Sequence, residues 1–201
     1  MAKLTSEEWN DRYATAELIW GAEPNQFLVR EVAELRPGTA LDLATGEGRN
    51  AIWLARQGWR VTGLDFSAVA LDKAREIATD LGVAVDWVHA DVVGYQPEPA
   101  GFDLVTILYL HLERPERRQV LAAASAAVAP GGTLLIVGHD LENLTRGHGG
   151  PQDPARLWVA DEAMEELVGL VVEQAGQVVR LVETDAGTVE AIDTLIRARR
   201  A

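Results

Sequence analysis

The residues able to do chemistry fall into two groups. The first is the run Ala40-Leu41-Asp42-Leu43-Ala44-Thr45-Gly46-Glu47-Gly48-Arg49-Asn50, with Asp65 and Asp91 further on. Gly46 and Gly48 permit a tight turn and let a ligand approach the main chain. A carboxylate at Asp65 can accept hydrogen bonds from both hydroxyls of a ribose, and one at Asp91 can meet the amino group of an adenine. The second group is the histidines His111, His139 and His148. An imidazole takes and releases protons near neutral pH, which suits a general base. His139, followed by Asp140, is the leading candidate; His111 is second and His148 third. His139, Asp140, His148 and Asp153 lack the fixed spacing of a metal site, so no metal is expected. The sequence has no cysteine, which excludes disulfides and thiolate catalysis.

These groups need elements to hold them. Apolar runs predict strands over 39–43, 60–64, 83–88, 102–110 and 133–137, with helices over 49–57, 67–81 and 115–129 between them. Runs such as LVTIL and TLLIV suit strands buried on both faces of a parallel sheet. The glycine run then follows the first strand, Asp65 the second and Asp91 the third. His111 and His139 follow the fourth and fifth. All lie at the carboxyl edge of the sheet, where open α/β sheets bind ligands. Residues 139–160 form a long Gly- and Pro-containing loop of a kind that often serves function. A helix over 161–168 and a hairpin around Asp185-Ala186-Gly187 complete the chain. Near the start, Ser6 is expected to cap a helix with Trp9, Tyr13, Ala16, Leu18 and Ile19 as its apolar stripe, ending at Gly21. A second helix is expected from Asn25 to Leu35. Arg114, Arg117 and Arg118 are expected on a solvated helix face. The whole is one three-layer α/β domain over 1–201.

Charge narrows the partners. Lys plus Arg is 18 and Asp plus Glu is 31, for a net charge of −13, the wrong sign for non-specific nucleic-acid binding. No apolar run approaches the length of a membrane span, and no secretory signal opens the chain, so the cytoplasm is the expected compartment. At the turn, Gly46-x-Gly48-x-x-Ala51 with a later Asp also fits a dinucleotide fingerprint, leaving an NAD-dependent oxidoreductase as an alternative. Asp42 and Glu47, offset only by Arg49, would oppose a pyrophosphate there. They favour a cationic ligand such as S-adenosylmethionine, which carries an ammonium and a sulfonium and no phosphate.

The segments LDLATGEGRNAIWLA and VTGLDFS, the Asp91 position and the terminal hairpin together resemble class I S-adenosylmethionine-dependent methyltransferases. Gly46-Glu47-Gly48-Arg49-Asn50 and the pattern Trp9, Tyr13, Trp20-Gly21 and Pro24-Asn25 are similar to a narrower group, the tellurite-resistance and thiopurine-type small-molecule enzymes. Ala44 stands where the usual turn has its first glycine. The resemblance implies a Rossmann-like seven-stranded sheet, order 3-2-1-4-5-7-6, with strand 7 antiparallel. It implies that 1–36 forms a helical lid containing Tyr13 and Trp20, and 139–160 a substrate loop. Asp42, Ala44 and Gly46 would line the methionine end, Asp65 the ribose, Phe66 the adenine face, Asp91 and Val92 the adenine edge, and Leu108 the ammonium. Gly48, Asn50 and Ser67 complete the implied cofactor set. The expected activity is methyl transfer to a small-molecule acceptor, leaving S-adenosylhomocysteine. A sugar or phenol hydroxyl with His139 as base is one option; a thiol, amine or metalloid acceptor without a base is another. A monomer or a homodimer would serve.

Overall fold

Unbroken apolar runs set the centre of the sheet. The computed structural model, which describes residues 4–15 and 17–201, places LVTIL and TLLIV on neighbouring strands β4 (Phe102–Leu108) and β5 (Val128–His139). Around them lie β1 (Thr39–Leu43), β2 (Arg60–Asp65), β3 (Asp86–His89), β6 (Val171–Thr184) and β7 (Gly187–Arg199). The order is β3-β2-β1-β4-β5-β7-β6. Strands β1 to β5 pair in parallel, and β7 is antiparallel to both β5 and β6. The expected Rossmann-like α/β fold is therefore present.

Strand alternation divides the core into two layers. Leu41, Leu43, Val105, Ile107, Leu134 and Ile136 pack on one face, with Trp158 and with Leu121 of α5 (Arg114–Ala127). Ala40, Leu104, Leu135 and Val137 pack on the other, against Phe27 and Leu28 of α2 (Gln26–Val32) and Leu54 of α3 (Arg49–Arg56). Helix α4 (Ala68–Asp80) takes Ser67 as its N-cap, as expected.

Several boundaries differ from the sequence reading, each for a local reason. Helix α1 (Ser6–Tyr13) is capped by Thr5, not Ser6. Thr5 and Glu8 each accept the other's backbone N–H, at 3.2 and 2.7 Å, a reciprocal box that fixes the start. The helix ends at Tyr13, well before Gly21; Ala16 lies outside the described residues. Strand β5 begins at Val128 and carries Pro130-Gly131-Gly132 as an irregularity opposite Phe102 and Leu104, where a helix stop was expected. Arg200 closes this irregularity: its carbonyl accepts from Gly131 and its N–H donates to Gly132. The 139–160 stretch is partly ordered by α6 (Asn143–Arg146) and a 3-10 turn at Pro154–Arg156. The helix expected over 161–168 is the short α7 (Ala160–Met164). Arg117 is not solvated but buried, donating to the Leu157 carbonyl at 2.9 Å. Arg114 and Arg118 both reach Glu166.

Gly48 and Gly63 leave room for one indole. A methyl on Gly48 would lie 2.6 Å from the Trp87 ring, and one on Gly63 would lie 2.7 Å from it. Gly63→Ala is expected to cost about 1–3 kcal/mol in urea unfolding, as overpacking does. Trp87→Leu in the same chain should recover most of that loss.

Candidate functional site

The loop after β1 is built from left-handed backbone. Ala44, Gly46 and Gly48 have φ of 59°, 56° and 78°. Two of these are glycine, which adopts this region freely; Ala44 bears a strain of about 1–2 kcal/mol. The turn is tied to β2 by Asp65, whose Oδ2 accepts the Gly46 N–H at 2.8 Å and whose Oδ1 accepts the Ser67 N–H at 2.9 Å. Burial raises the Asp65 pKa, partly offset by those N–H donors. Asp42 is also buried, and its two oxygens accept from Thr45 at 2.6 Å and Thr106 at 2.7 Å. Burial, with Asp65 nearby, pushes its pKa up to about 6.

Beyond β3, Val92 is buried and Asp91 is exposed, with Oδ1 accepting the Val93 N–H at 2.9 Å. Phe66 is half-buried, its carbonyl 3.0 Å from His89 Nε2.

Glu47 does not line the turn as free negative charge, contrary to the sequence reading. It is buried, with Oε1 on Lys73 Nζ at 3.0 Å and Oε2 accepting the Ile19 N–H at 2.9 Å. Arg49 Nη1 donates to the Trp20 carbonyl at 2.8 Å. Asn50 Oδ1 accepts the Asn25 N–H at 2.8 Å. The N-terminal segment therefore lies over the turn. The Tyr13 hydroxyl sits 3.0 Å from where a Gly46 methyl would be, and accepts from Trp20 Nε1 at 3.2 Å. Ser67 Oγ reaches Asn10 Oδ1 at 2.7 Å and docks α1 on the start of α4.

A second cluster occupies the ends of β4 and β5. Leu108 is buried, and Tyr109 after it turns with φ 58°. Residues His139 and Asp193 face each other across the antiparallel β5–β7 ladder. Facing side chains on such strands have Cβ atoms about 4.5–5.5 Å apart. Here His139 Nδ1 lies 3.1 Å from Asp193 Oδ1. Asp193 Oδ2 accepts from Tyr109 Oη at 2.7 Å and Arg180 Nε at 3.1 Å. Burial pushes the Asp193 carboxyl up, but His139, Tyr109 and Arg180 together hold it below the usual carboxylate value. The loop glycine Gly150 packs on the other edge, where a methyl would lie 2.6 Å from His139 Cδ2. His111 stacks on His139 with ring centres 5.2 Å apart, and its Nδ1 is 3.1 Å from the Arg156 carbonyl. Burial, and then His139, lower the His111 pKa to about 4, so His111 is neutral at pH 7. Arg49 joins the two halves, in electrostatic reach of Asp42 on one side and of Tyr109 and Arg180 on the other.

Asp140 is not the carboxylate beside His139. Neighbouring strand residues face opposite ways, and Asp140 accepts from Thr194 Oγ1 at 2.6 Å and Gln177 Nε2 at 2.9 Å. His148 is exposed. Asp193, Tyr109 and Arg180 were missed in the sequence. The signal for Asp193 was available: a lone acid within Ala191-Ile192-Asp193-Thr194-Leu195-Ile196, since a buried carboxylate demands partners. Among the described residues no group of three or more His, Asp or Glu is placed to hold a metal, and no helix is long and apolar enough to cross a membrane.

Residues 40–132 match the methyltransferase domain family. A ubiquinone biosynthesis O-methyltransferase of Pectobacterium carotovorum is 39% identical over 97 residues, 48% of this chain and 41% of that protein. The chain thus spans less than half the length of that relative. A protein solved in work on the conversion of a disulfide bond into a thioacetal group during echinomycin biosynthesis superposes with a TM-score of 0.77 at 23% identity, covering 97% of this chain and 91% of that one. TehB from Haemophilus influenzae gives 0.72 at 16% identity, covering 98% and 67%. Residues 40–132 thus resemble a methyltransferase domain, and the chain as a whole shares its fold with TehB. The turn suits a cationic ligand: two buried carboxylates, each pushed toward neutrality, gain when a cation is held beside them.

Keeping Asp42 ionised at pH 7.5, with its midpoint near 6 instead of 3.8, costs the ligand-free protein on the order of 3 kcal/mol. The folded state binds this proton more tightly than the unfolded chain. Its contribution is therefore full below pH 3.8 and lost as pH rises through 6. Asp42→Asn should raise the melting temperature of the ligand-free protein at pH 7.5. The gain should shrink as pH falls from 6 towards 4, which thermal unfolding across that range will measure.

Proposed function

We propose that this protein transfers the methyl group of S-adenosylmethionine to a hydroxyl of a small-molecule acceptor, with His139 as general base. The observation that carries the reading is the fixing of His139 by Asp193. With Nδ1 3.1 Å from a carboxylate oxygen, a proton held on that side of the neutral ring would leave the Nε2 lone pair to act as base. That arrangement is the orienting half of a general-base pair. Asp140 drops out of the catalytic role, and His111, neutral and stacked, supports the ring. The net charge of −13 supports a small acceptor over a polyanion. The O-methyltransferase relative is consistent with an oxygen acceptor, though its likeness lies in about half of this chain.

Asp65 would take the ribose hydroxyls on the lone pairs its two backbone donors leave open. Asp42, with Ala44, Gly46 and the Leu108 backbone, would border the methionine end. Phe66, Asp91 and Val92 would border the adenine. Gly48, Asn50 and Ser67 would act one step back, shaping the turn and holding the lid and α4 in place. S-adenosylmethionine supplies a methyl already activated by its sulfonium. The chain's own tasks are to hold the acceptor in line, exclude water with Tyr13 and Trp20, and accept the hydroxyl proton at His139 Nε2. Residues 139–160 would border the acceptor, since Gly150 already touches the base.

Asp65→Ala should weaken S-adenosylhomocysteine binding tenfold or more in calorimetry, the size expected for losing charge-assisted hydrogen bonds. For the base, turnover of labelled methyl groups should be followed against a panel of phenols and sugars. His139→Ala should lower kcat by about 10²- to 10⁴-fold. A fully active His139→Ala chain would return the choice to acceptors that need no base.

A further inference from the structure

The polar side chains of the glycine run have tasks that its sequence does not suggest. Glu47 and Arg49 sit among residues that border the cofactor, yet both are spent on the N-terminal segment. Glu47 Oε2 accepts the Ile19 N–H, and its other oxygen holds Lys73, whose Nζ also donates to the Glu17 carbonyl at 3.1 Å. Arg49 donates to the carbonyls of Trp20 and Glu23, at 2.8 and 3.5 Å. Asn50 takes the Asn25 N–H. The segment 17–25 is thus gripped at four backbone positions beyond Glu17 itself, by side chains one to four positions past Gly46. The same segment carries Trp20, which donates to the Tyr13 hydroxyl above Gly46.

We propose that Glu47 and Arg49 are positioning residues that latch the N-terminal segment over the glycine turn, so that they set cofactor residence through the lid and not by touching the cofactor. The turn's backbone faces the ligand while its side chains face the lid. Any ligand that braces the turn therefore braces the latch, and closing the latch retards ligand exit. Lys73 extends the device: it lies on α4, away from the turn backbone, and neutralises Glu47 so that the buried carboxylate can hold an N–H. The inference rests on the reading that the cofactor occupies this turn.

The test uses the full chain with S-adenosylhomocysteine as probe. Dissociation is followed by stopped-flow tryptophan fluorescence, and backbone protection by hydrogen exchange. In the wild type, the probe should protect amides of 13–25 together with those of 44–48. In Glu47→Gln and Lys73→Met, dissociation should be at least tenfold faster. Protection over 13–25 should be lost while that of β1 and β2 is kept. Arg49→Lys, which keeps the charge but not the two-carbonyl reach, should do the same and serves if a Glu47 variant fails to fold. Weaker binding with lid protection intact would overturn the proposal, because Glu47 would then act on the cofactor directly. Unchanged dissociation in Lys73→Met and Arg49→Lys would overturn it too. A wild-type chain that does not bind the probe at all would remove the cofactor reading itself, a distinct result.

Discussion

Asp65 accepting the Gly46 N–H is the contact on which the rest of the site depends. It fastens the loop after β1 to the end of β2, across two strands that are already in register. That contact fixes the left-handed backbone at Ala44, Gly46 and Gly48, and so decides where the Glu47, Arg49 and Asn50 side chains emerge. Two of the three conformations come free with glycine; the one at Ala44 does not. A buried carboxylate held by two N–H groups is costly to desolvate and valuable once held. The turn is therefore strained and charged before any ligand arrives, as sites built for a specific partner tend to be.

The opposite half of the edge is organised by a different constraint. Asp193 is shared among an imidazole from β5, a phenol just past β4 and a guanidinium from β6. Such a carboxylate can stay ionised under cover because Tyr109 and Arg180 donate to one oxygen and the His139 ring faces the other. It sets the direction of the His139 ring. It also places Tyr109 and Arg180, whose positions neither strand pattern nor composition would have suggested. Negative charge at the turn and a balanced cluster beside His139 give the two halves of the edge distinct electrostatic characters, with Arg49 between them.

Much of this was legible in the sequence. The apolar runs gave the parallel strands, since burial on both faces leaves no alternative pattern. The positions of the glycine run and the two later aspartates at the carboxyl edge were legible too, because they depend on local turns at strand ends. What escaped were contacts made by distant partners. His139 was read with its neighbour Asp140, yet alternation along a strand sends neighbours to opposite faces, and the true partner lies across the ladder. Glu47 was read as lining because its spacing from Asp42 is local, while the Lys73 that claims it lies on the following helix. The start of α1 was missed by one residue because Ser6 is the better cap by type, and only the reciprocal bond with Glu8 favours Thr5.

The antiparallel strand β7 has a consequence for how the chain assembles. It lies between β5 and β6, and it alone brings Asp193 to His139. The pairing of β1 with β4 sets Asp42 beside Thr106, and that of β5 with β7 sets His139 beside Asp193; the two close loops of similar length. Both are non-local pairings of the kind that form late. The tie of the glycine turn to β2 is local, but the partners of Asp42 and of His139 should arrive together, so the two halves of the edge are completed in the same step.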